Sequence, residues 1–271
     1  MNYQETPPSG PLAKFIKCFW ALEYRGTGAS VSPEPVLPDG CPEIVFNLSD
    51  RFVRVFPLHQ DIQPQTIFAG QMSRSIVIMP RGNVNLFGVR FHPAGAGPLL
   101  GFPVSEVTDR ILDFADACGV TGKPVENKIS EAGSFGERKA IFEAFYLSKL
   151  SERGVQDSIA AFAADMILAG RGAHAISGIA KKIGVSDRRL ERRFKQFIGI
   201  SPKTFSRIIR FQTVVSAVQQ SGSRNLLDTA LSFGYYDQSH LIRDFNEFSG
   251  VSPLAYFERT HQISDAFTGA Q

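Results

Sequence analysis

The feature that most constrains this chain is a stretch of sequence that occurs twice, at an offset of fifty to fifty-one residues. Ala180 and Gly184 of the first copy recur as Ala230 and Gly234. The apolar residues, the next glycine and a Ser-Pro pair also recur: Leu190, Phe194, Phe197, Gly199 and Ser201-Pro202 as Leu241, Phe245, Phe248, Gly250 and Ser252-Pro253. The offset changes within the turn, so the second copy has one extra residue there. Such a repeat indicates a duplicated structural unit.

Each copy has the pattern of two short helices around a glycine turn. In the first copy, Ile176, Ile179 and Ile183 recur at helical spacing, and Gly184 ends that helix where a residue without Cβ can adopt a positive φ. Ser186 is a suitable N-cap for the second helix, whose apolar residues fall on one face. This pattern predicts a helix-turn-helix in each copy.

The second helix of the first copy is cationic on the face opposite its apolar residues. Residues 186–210 hold eight Lys or Arg against two acidic residues. For one copy alone, a solvated basic helix in a helical bundle is the alternative. The need for a packed core explains the repeated apolar positions but not the cationic face, whereas DNA binding explains both.

We therefore predict a set of DNA-contacting residues on each second helix. On the first copy these are Arg188, Arg189, Glu191, Arg192 and Lys195, with Arg193 at the flank. On the second copy they are Gln238, Ser239, His240, Arg243 and Asn246. The second set is less basic because Asp244 and Glu247 stand where the first copy has Arg193 and Gln196.

From about residue 158 to 260 the chain resembles the DNA-binding domain of the AraC-type transcriptional regulators. The resemblance implies two helix-turn-helix units joined by a long linker helix, and double-stranded promoter DNA as the partner. The residues that carry it are Ala180, Gly184-Val185-Ser186, Leu190, Arg192-Arg193-Phe194-Lys195, Gly199-Ile200-Ser201-Pro202, Arg210, Ala230, Gly234-Tyr235, Ser239, Phe245, Phe248 and Gly250-Val251-Ser252-Pro253.

The first half of the chain has short apolar runs separated by Gly and Pro, which predicts a small β barrel or sandwich. A Pro-Asp-Gly turn precedes a predicted buried strand at 43–48, and we expect 51–56 to be its hairpin partner. Helices are expected to begin at 105 and to run from 135 to 150. Residues 37–48, 88–95 and 100–101 resemble an uncharacterised sensor-type domain that precedes the DNA-binding domain in one branch of the AraC-type family.

The predicted fold class is therefore α+β, with a mostly β N-terminal domain carrying helices, followed by an all-α domain. We expect a sensor or dimerisation domain over 1–150, a linker over 151–157 and the DNA-binding domain over 158–262. Its two helix-turn-helix units are placed at 176–199 and 226–250, joined by a helix from 202 to 220. A polar tail follows at 263–271.

The composition favours a protein of the cytoplasm without a membrane partner. No apolar run has transmembrane length, and the first residues lack the basic and apolar regions of a signal peptide. Cys18, Cys41 and Cys118 are odd in number and far apart, which argues against a disulfide framework or a Cys-x-x-Cys metal site. Cys41 has acidic neighbours that disfavour a thiolate, and His92 has no second ligand at metal spacing. We predict no catalytic residue, metal or cofactor.

The leading hypothesis is a sequence-specific transcriptional regulator that reads two adjacent major grooves and responds to a small-molecule effector. Its expected partners are promoter DNA, RNA polymerase, an effector in the N-terminal domain and a second copy of the chain. We expect Asp39-Gly40 and the aromatic residues around Trp20 to line a ligand pocket. The alternative is an enzyme or a small-molecule-binding protein that uses the helical domain as an accessory.

Overall fold

A computed structural model describes residues 1–25, 32–153, 157–221 and 226–258. The strands are β1 Asn2–Thr6, β2 Ile16–Tyr24, β3 Glu34–Val36, β4 Glu43–Asn47, β5 Phe52–Val55, β6 Gln60–Ile62, β7 Thr66–Ala69, β8 Ile76–Pro80, β9 Val84–Phe91 and β10 Ile111–Asp113. The α-helices are α1 Phe114–Cys118, α2 Gly122–Glu131, α3 Phe135–Arg153, α4 Ser158–Ala169, α5 Ile176–Ile183, α6 Asp187–Ile198, α7 Pro202–Ser221, α8 Leu226–Ser232, α9 Gln238–Ser249 and α10 Pro253–Phe257.

The strands form two antiparallel sheets in the first half of the chain. The larger sheet has the order β1-β2-β9-β4-β7-β10, and the smaller has the order β3-β8-β5-β6. Helix α3 places Phe142 and Tyr146 in the same aromatic cluster as Phe19, Phe46 and Phe91 of the larger sheet. The predicted α+β class, with a sandwich-like β domain followed by an all-α domain, is confirmed.

The predicted hairpin between 43–48 and 51–56 is wrong. Strand β4 lies between β9 and β7 in the larger sheet, whereas β5 pairs with β6 and β8 in the smaller sheet. Asn47 turns the chain from one sheet to the other, because its side chain donates to Asp50 O at 2.8 Å and accepts from Ser49 N at 3.0 Å. An alternating pattern does not specify which neighbour a strand pairs with.

Four helical segments differ from the sequence prediction, and one of them is α1, which was not predicted. The helix expected to begin at 105 is a single 3-10 turn, Val104–Val107, and the chain then bends at Asp109, whose φ is 57°. Helix α2 was not predicted. Helix α3 begins where predicted but continues to Arg153, three residues into the predicted linker. The remaining linker residues 154–156, and the predicted tail at 263–271, lie outside the described residues.

The repeat seen in the sequence is a repeat of structure. The turn residues Gly184 and Gly234 have φ angles of 80° and 85°, and each is followed by an amide that donates to the equivalent alanine carbonyl. Val185 N lies 3.0 Å from Ala180 O, and Tyr235 N lies 3.1 Å from Ala230 O. Val185 and Tyr235 are thus equivalent, so the extra residue of the second copy is Tyr236.

Helix α7 joins the two units and supplies core to both. Its predicted apolar face is buried along its length: Phe205, Ile208, Ile209, Val215 and Val218. Phe205 contacts Phe194 of α6 with ring centroids 5.4 Å apart, and Phe211 contacts Phe245 of α9 at 5.0 Å. One continuous helix therefore sets the separation of the two units.

The β domain also contacts α7. Gly40, with φ of 82°, lies so close to the helix that an added Cβ would stand 2.7 Å from Phe205. Gln212 Nε2 donates to Pro38 O at 2.8 Å. Leu37 and Ala94 belong to the core cluster of the helical domain, so its core continues into the first half of the chain.

Candidate functional site

Helix α6 exposes every residue predicted for DNA contact in the first unit. Ser186 caps the helix by accepting from Arg189 N at 3.3 Å. Leu190 and Phe194 are fully buried and fix the rotation of the helix. The exposed residues are Arg188, Arg189, Glu191, Arg192 and Lys195.

Arg193, which the sequence placed at the flank of that face, instead ties α6 to α4. Its Nε donates to Asp157 Oδ2 at 2.8 Å, and its Nη2 also contacts that oxygen. Asp157 is the N-cap of α4 and accepts from Ala160 N at 2.7 Å through its other oxygen. This arginine is therefore used in packing the domain rather than in its outer charge.

Helix α9 exposes four of the five residues predicted in the second unit: Gln238, Ser239, Arg243 and Asn246. The fifth, His240, is only partly exposed. Its ring lies 4.9 Å from that of Tyr235, and its Nε2 lies 4.0 Å from Asp244 Oδ2. The structure thus holds His240 between the turn and the helix interior.

The sequence analysis counted Asp244 toward the outer charge of the second unit. This is wrong, because Asp244 is fully buried. Its Oδ1 accepts from Arg207 Nη2 at 2.6 Å and Nε at 3.2 Å, and its Oδ2 accepts from the Tyr235 hydroxyl at 3.2 Å. Arg207 also pairs with the exposed Glu247 at 2.6 Å. This ion pair joins α7 to α9, as Arg193–Asp157 joins α6 to α4. Arg243 remains the one cation among the exposed residues predicted on α9.

Tyr236 was missed by sequence reasoning. It is the extra residue of the second turn, immediately before the Asp237 N-cap of α9, and 88% of its surface is exposed. The change of offset from fifty to fifty-one was the signal that could have pointed to it. An exposed aromatic ring at the start of this helix is suited to contacts with DNA sugar or with a thymine methyl group.

Two loops of the β domain contact the C-terminal ends of both helices, and we call 71–75 and 107–110 the docking loops. The Thr108 hydroxyl donates to Gly199 O at 2.8 Å, and Ser75 N donates to Phe248 O at 2.9 Å. These positions are close to equivalent in the two repeats. Both helices are thus held at the same end by one domain.

Asp109 joins the docking loops to each other. Its carboxylate accepts from Ser73 N at 2.7 Å and from Ser73 Oγ at 2.6 Å, while its own amide donates to Gln71 O at 3.0 Å. Gly70, which precedes the first loop, lies against the second so closely that an added Cβ would be 1.9 Å from Val107 O. The two loops are therefore bonded to each other and packed together.

A cavity of about 80 Å³ lies between the two sheets and ends at the docking loops. Its walls come from strands of both sheets and are mostly apolar. Gly70 and Met72 are both in the wall, and Met72 belongs to the first docking loop. The polar residues of the wall are Asp39, Cys41, Glu43, Asn47, Gln63 and Gln65.

A buried charge network lies at one end of the cavity. Arg90, with 2% of its surface exposed, lies 3.2 Å from Glu43 Oε1 and 3.7 Å from Asp39 Oδ2. The Trp20 indole N–H donates to the same Glu43 oxygen at 2.6 Å. Burial raises the pKa of Glu43 to about 6, although the Arg90 guanidinium acts in the opposite direction. Asp39, which was predicted to line a pocket, is in the cavity wall. Trp20 is connected to the wall by its hydrogen bond to Glu43.

The cysteines have no feature of a reactive site. All three are free thiols, and burial together with Asp39 raises the pKa of Cys41 to about 12. Within the described part of the chain, no group of three or more His, Cys, Asp or Glu side chains is placed to hold a metal ion. Nor does any described helix have the length and apolar character needed to cross a membrane.

Residues 179–259 match a family described as a helix-turn-helix domain, and the match covers both units. The chain carries an AraC-type helix-turn-helix domain. This is the domain of DNA-binding transcription regulators. Residues 4–113 match a family described as a domain of unknown function (DUF6597). No curated protein matches the sequence.

The fold is similar to that of ToxT from Vibrio cholerae. One ToxT structure has 12% sequence identity and a TM-score of 0.50, over 89% of this chain and 98% of ToxT. A second, bound to (E)-4-(8-methylnaphthalen-1-yl)but-3-enoic acid, has 12% identity and a TM-score of 0.51 over the same shares. At this identity the likeness shows a shared fold, in which a β domain is followed by a helical domain.

The Arg207–Asp244 ion pair generates a prediction about stability. In Arg207→Ala, the buried Asp244 carboxylate keeps, of its side-chain hydrogen bonds described above, only the one from the Tyr235 hydroxyl. We therefore expect a loss of about 3–5 kcal/mol in the free energy of unfolding. Arg243→Ala, on the same helix but exposed, is the matched control, and its change should stay within about 0.5 kcal/mol. Urea denaturation of the full chain measures both. Equal effects of the two substitutions would contradict the assignment.

Glu43 generates a prediction about pH. Its folded pKa of about 6 exceeds its ordinary value of 4.5, so in this range the native state retains a proton that the unfolded chain releases. This contribution to stability is present below pH 4.5 and is lost as the pH rises to about 6. Relative to Glu43→Gln, the free energy of unfolding should fall by about 2 kcal/mol in total as the pH rises from well below 4.5 to well above 6. Parallel pH profiles for the two proteins would show that Glu43 titrates normally.

Proposed function

We propose that this protein is a sequence-specific DNA-binding transcription regulator that reads two adjacent major grooves with α6 and α9. The observation that carries the proposal is the repeat of two helix-turn-helix units on one rigid helix. Helix α7 has 20 residues and is therefore about 30 Å long. This is close to the ~34 Å between successive major-groove faces on one side of B-DNA. One chain can then read an asymmetric site.

Within this proposal the first unit supplies most of the affinity. Its outer face has Arg188, Arg189, Arg192 and Lys195, whereas Arg243 is the one cation among the exposed residues predicted on α9. Phosphate neutralisation dominates the free energy of DNA binding, so the more cationic unit contributes more. The polar residues of α9, together with Tyr236, refine sequence preference through base edges.

We also propose that a small-molecule effector binds in the cavity between the sheets. The cavity wall continues through Gly70 into the docking loops, which contact α6 at Gly199 and α9 at Phe248. A ligand that moves this wall would therefore bias the placement of both helices. The ToxT structure with a bound small organic acid supports the idea that this architecture accommodates effectors.

The proposal includes RNA polymerase and a second copy of the chain as partners, a location in the cytoplasm, and no catalytic activity. A regulator of this type acts on promoter DNA, where it meets the polymerase. The salt dependence of DNA binding distinguishes this proposal from the alternative, an enzyme with an accessory helical domain. Binding by phosphate neutralisation weakens steeply with salt, with a slope of about −0.9 per phosphate contacted.

Arg192 and Arg193 provide a matched pair for testing direct readout. Arg192 is exposed on α6 and can bind guanine O6 and N7, so Arg192→Ala should cost about 1–3 kcal/mol in specific affinity and relax the preference at one base pair. Arg193→Ala should lower folding stability and leave base preference unchanged, because Arg193 pairs with Asp157. Competition binding with single-base-pair variants of the site measures both. If Arg192→Ala weakens all sequences equally, Arg192 contacts phosphate alone.

A footprint of the intact protein tests the two-groove geometry. We expect protection of two adjacent major-groove faces on one side of the duplex, about 34 Å apart, on a site without palindromic symmetry. Arg243→Ala should reduce affinity less than Arg192→Ala. Protection confined to one half-turn, or a larger loss from Arg243→Ala, would contradict this arrangement.

A further inference from the structure

The cavity between the sheets is suited to a small, mostly apolar ligand. Its volume of about 80 Å³ compares with about 10–15 Å³ for one water, so it holds a molecule of about five to eight non-hydrogen atoms. The apolar wall includes Val45, Phe52, Ile67, Ile78 and Leu86, which come from five strands. Such a wall excludes strongly hydrated groups from most of the cavity surface.

The charged groups in the cavity wall are all acidic. Asp39 and Glu43 are both in the wall, and none of the described lining residues is a Lys, Arg or His. Arg90 lies behind these carboxylates, where it contacts Glu43 Oε1. The Trp20 indole donates to that same oxygen, so these two contacts of Glu43, a residue of the cavity wall, leave its Oε2 unused.

The Gln63 amide in the cavity wall favours a hydrogen-bond acceptor on the ligand. Gln63 Nε2 is buried and has no hydrogen-bond partner among the described residues. Gln63 is part of the cavity wall. A buried amide donor without a partner costs about 1–3 kcal/mol, so a ligand acceptor placed there would gain affinity. The wall thus offers carboxylate acceptors and an unused amide donor.

We propose that this cavity binds a small, largely apolar hydrogen-bond donor, neutral or cationic, such as an alcohol or an amine, and that it rejects carboxylic acids. An anion would be desolvated beside two carboxylates without a cation in the wall, which is unfavourable. An amine or hydroxyl group instead donates to Glu43 or Asp39. This inference rests on the effector site of the proposed function and specifies its chemistry.

Three probes of equal size, each with eight non-hydrogen atoms, and of different charge test the inference on the full chain: benzylamine, benzyl alcohol and cyclopentanecarboxylate. Trp20 is the only tryptophan, and its hydrogen bond to Glu43 makes its fluorescence a reporter of the cavity. We expect benzylamine and benzyl alcohol to change this fluorescence in a saturable way. Cyclopentanecarboxylate should bind at least about tenfold more weakly, because of repulsion by the two carboxylates.

Two variants and a control assign the binding to this cavity. Asp39→Asn retains an oxygen for Cys41 N and should weaken benzylamine about fivefold while leaving benzyl alcohol unchanged. Val45→Phe fills the cavity and should abolish the response to both probes. Asp116→Asn, which removes an exposed carboxylate of α1 outside the cavity wall, should change neither.

The outcomes separate the ligand class from the function. Cyclopentanecarboxylate binding that equals benzylamine binding, or an Asp39→Asn variant with unchanged benzylamine affinity, overturns the chemical class and leaves the effector site standing. Absence of any saturable response to the three probes overturns both this inference and the effector part of the proposed function. DNA binding is measured separately by the footprint, so its failure cannot be confused with either result.

Discussion

The packing of α7 is the constraint on which the rest of the structure depends. Its buried side chains meet α6 through Phe205, α9 through Phe211 and the β domain through the close approach of Gly40. Because one helix is core to three parts of the molecule, none of them can rotate without losing buried apolar contacts. The separation of α6 and α9 is therefore a property of the whole chain.

The docking loops add a second constraint at the far ends of the same helices. Thr108 and Ser75 bond to backbone oxygens at the C-terminal ends of α6 and α9, while the exposed residues nearest their N-caps stay uncovered. Asp109 holds the loops together at a backbone conformation that is uncommon for a residue other than glycine. Such a residue persists only where its surroundings over-determine it, and here three hydrogen bonds involving Ser73 and Gln71 do so.

The sequence predicted the helical domain well because its signals are local. The turn glycines, the N-cap serines and the apolar spacing each act within one or two turns of helix. The β domain was harder, since strand pairing depends on distant segments: β4 pairs with β7 and β9, and nothing near β5 indicates that it joins the other sheet. Likewise, the burial of Asp244 depends on Arg207, 37 residues earlier.

The charge count of the sequence also overstates what the domain presents to DNA. Of the eight basic residues in 186–210, Arg193 and Arg207 form internal ion pairs, and Arg210 donates to Gly172 O at 2.9 Å. Five cations of that stretch remain outside these contacts. Each phosphate contact contributes about 0.9 to the salt slope, so the fold sets a lower slope for this stretch than its arginine content suggests. Arginine therefore has two locations in this stretch, and only the tertiary structure distinguishes the residues that build the domain from those that stay on its surface.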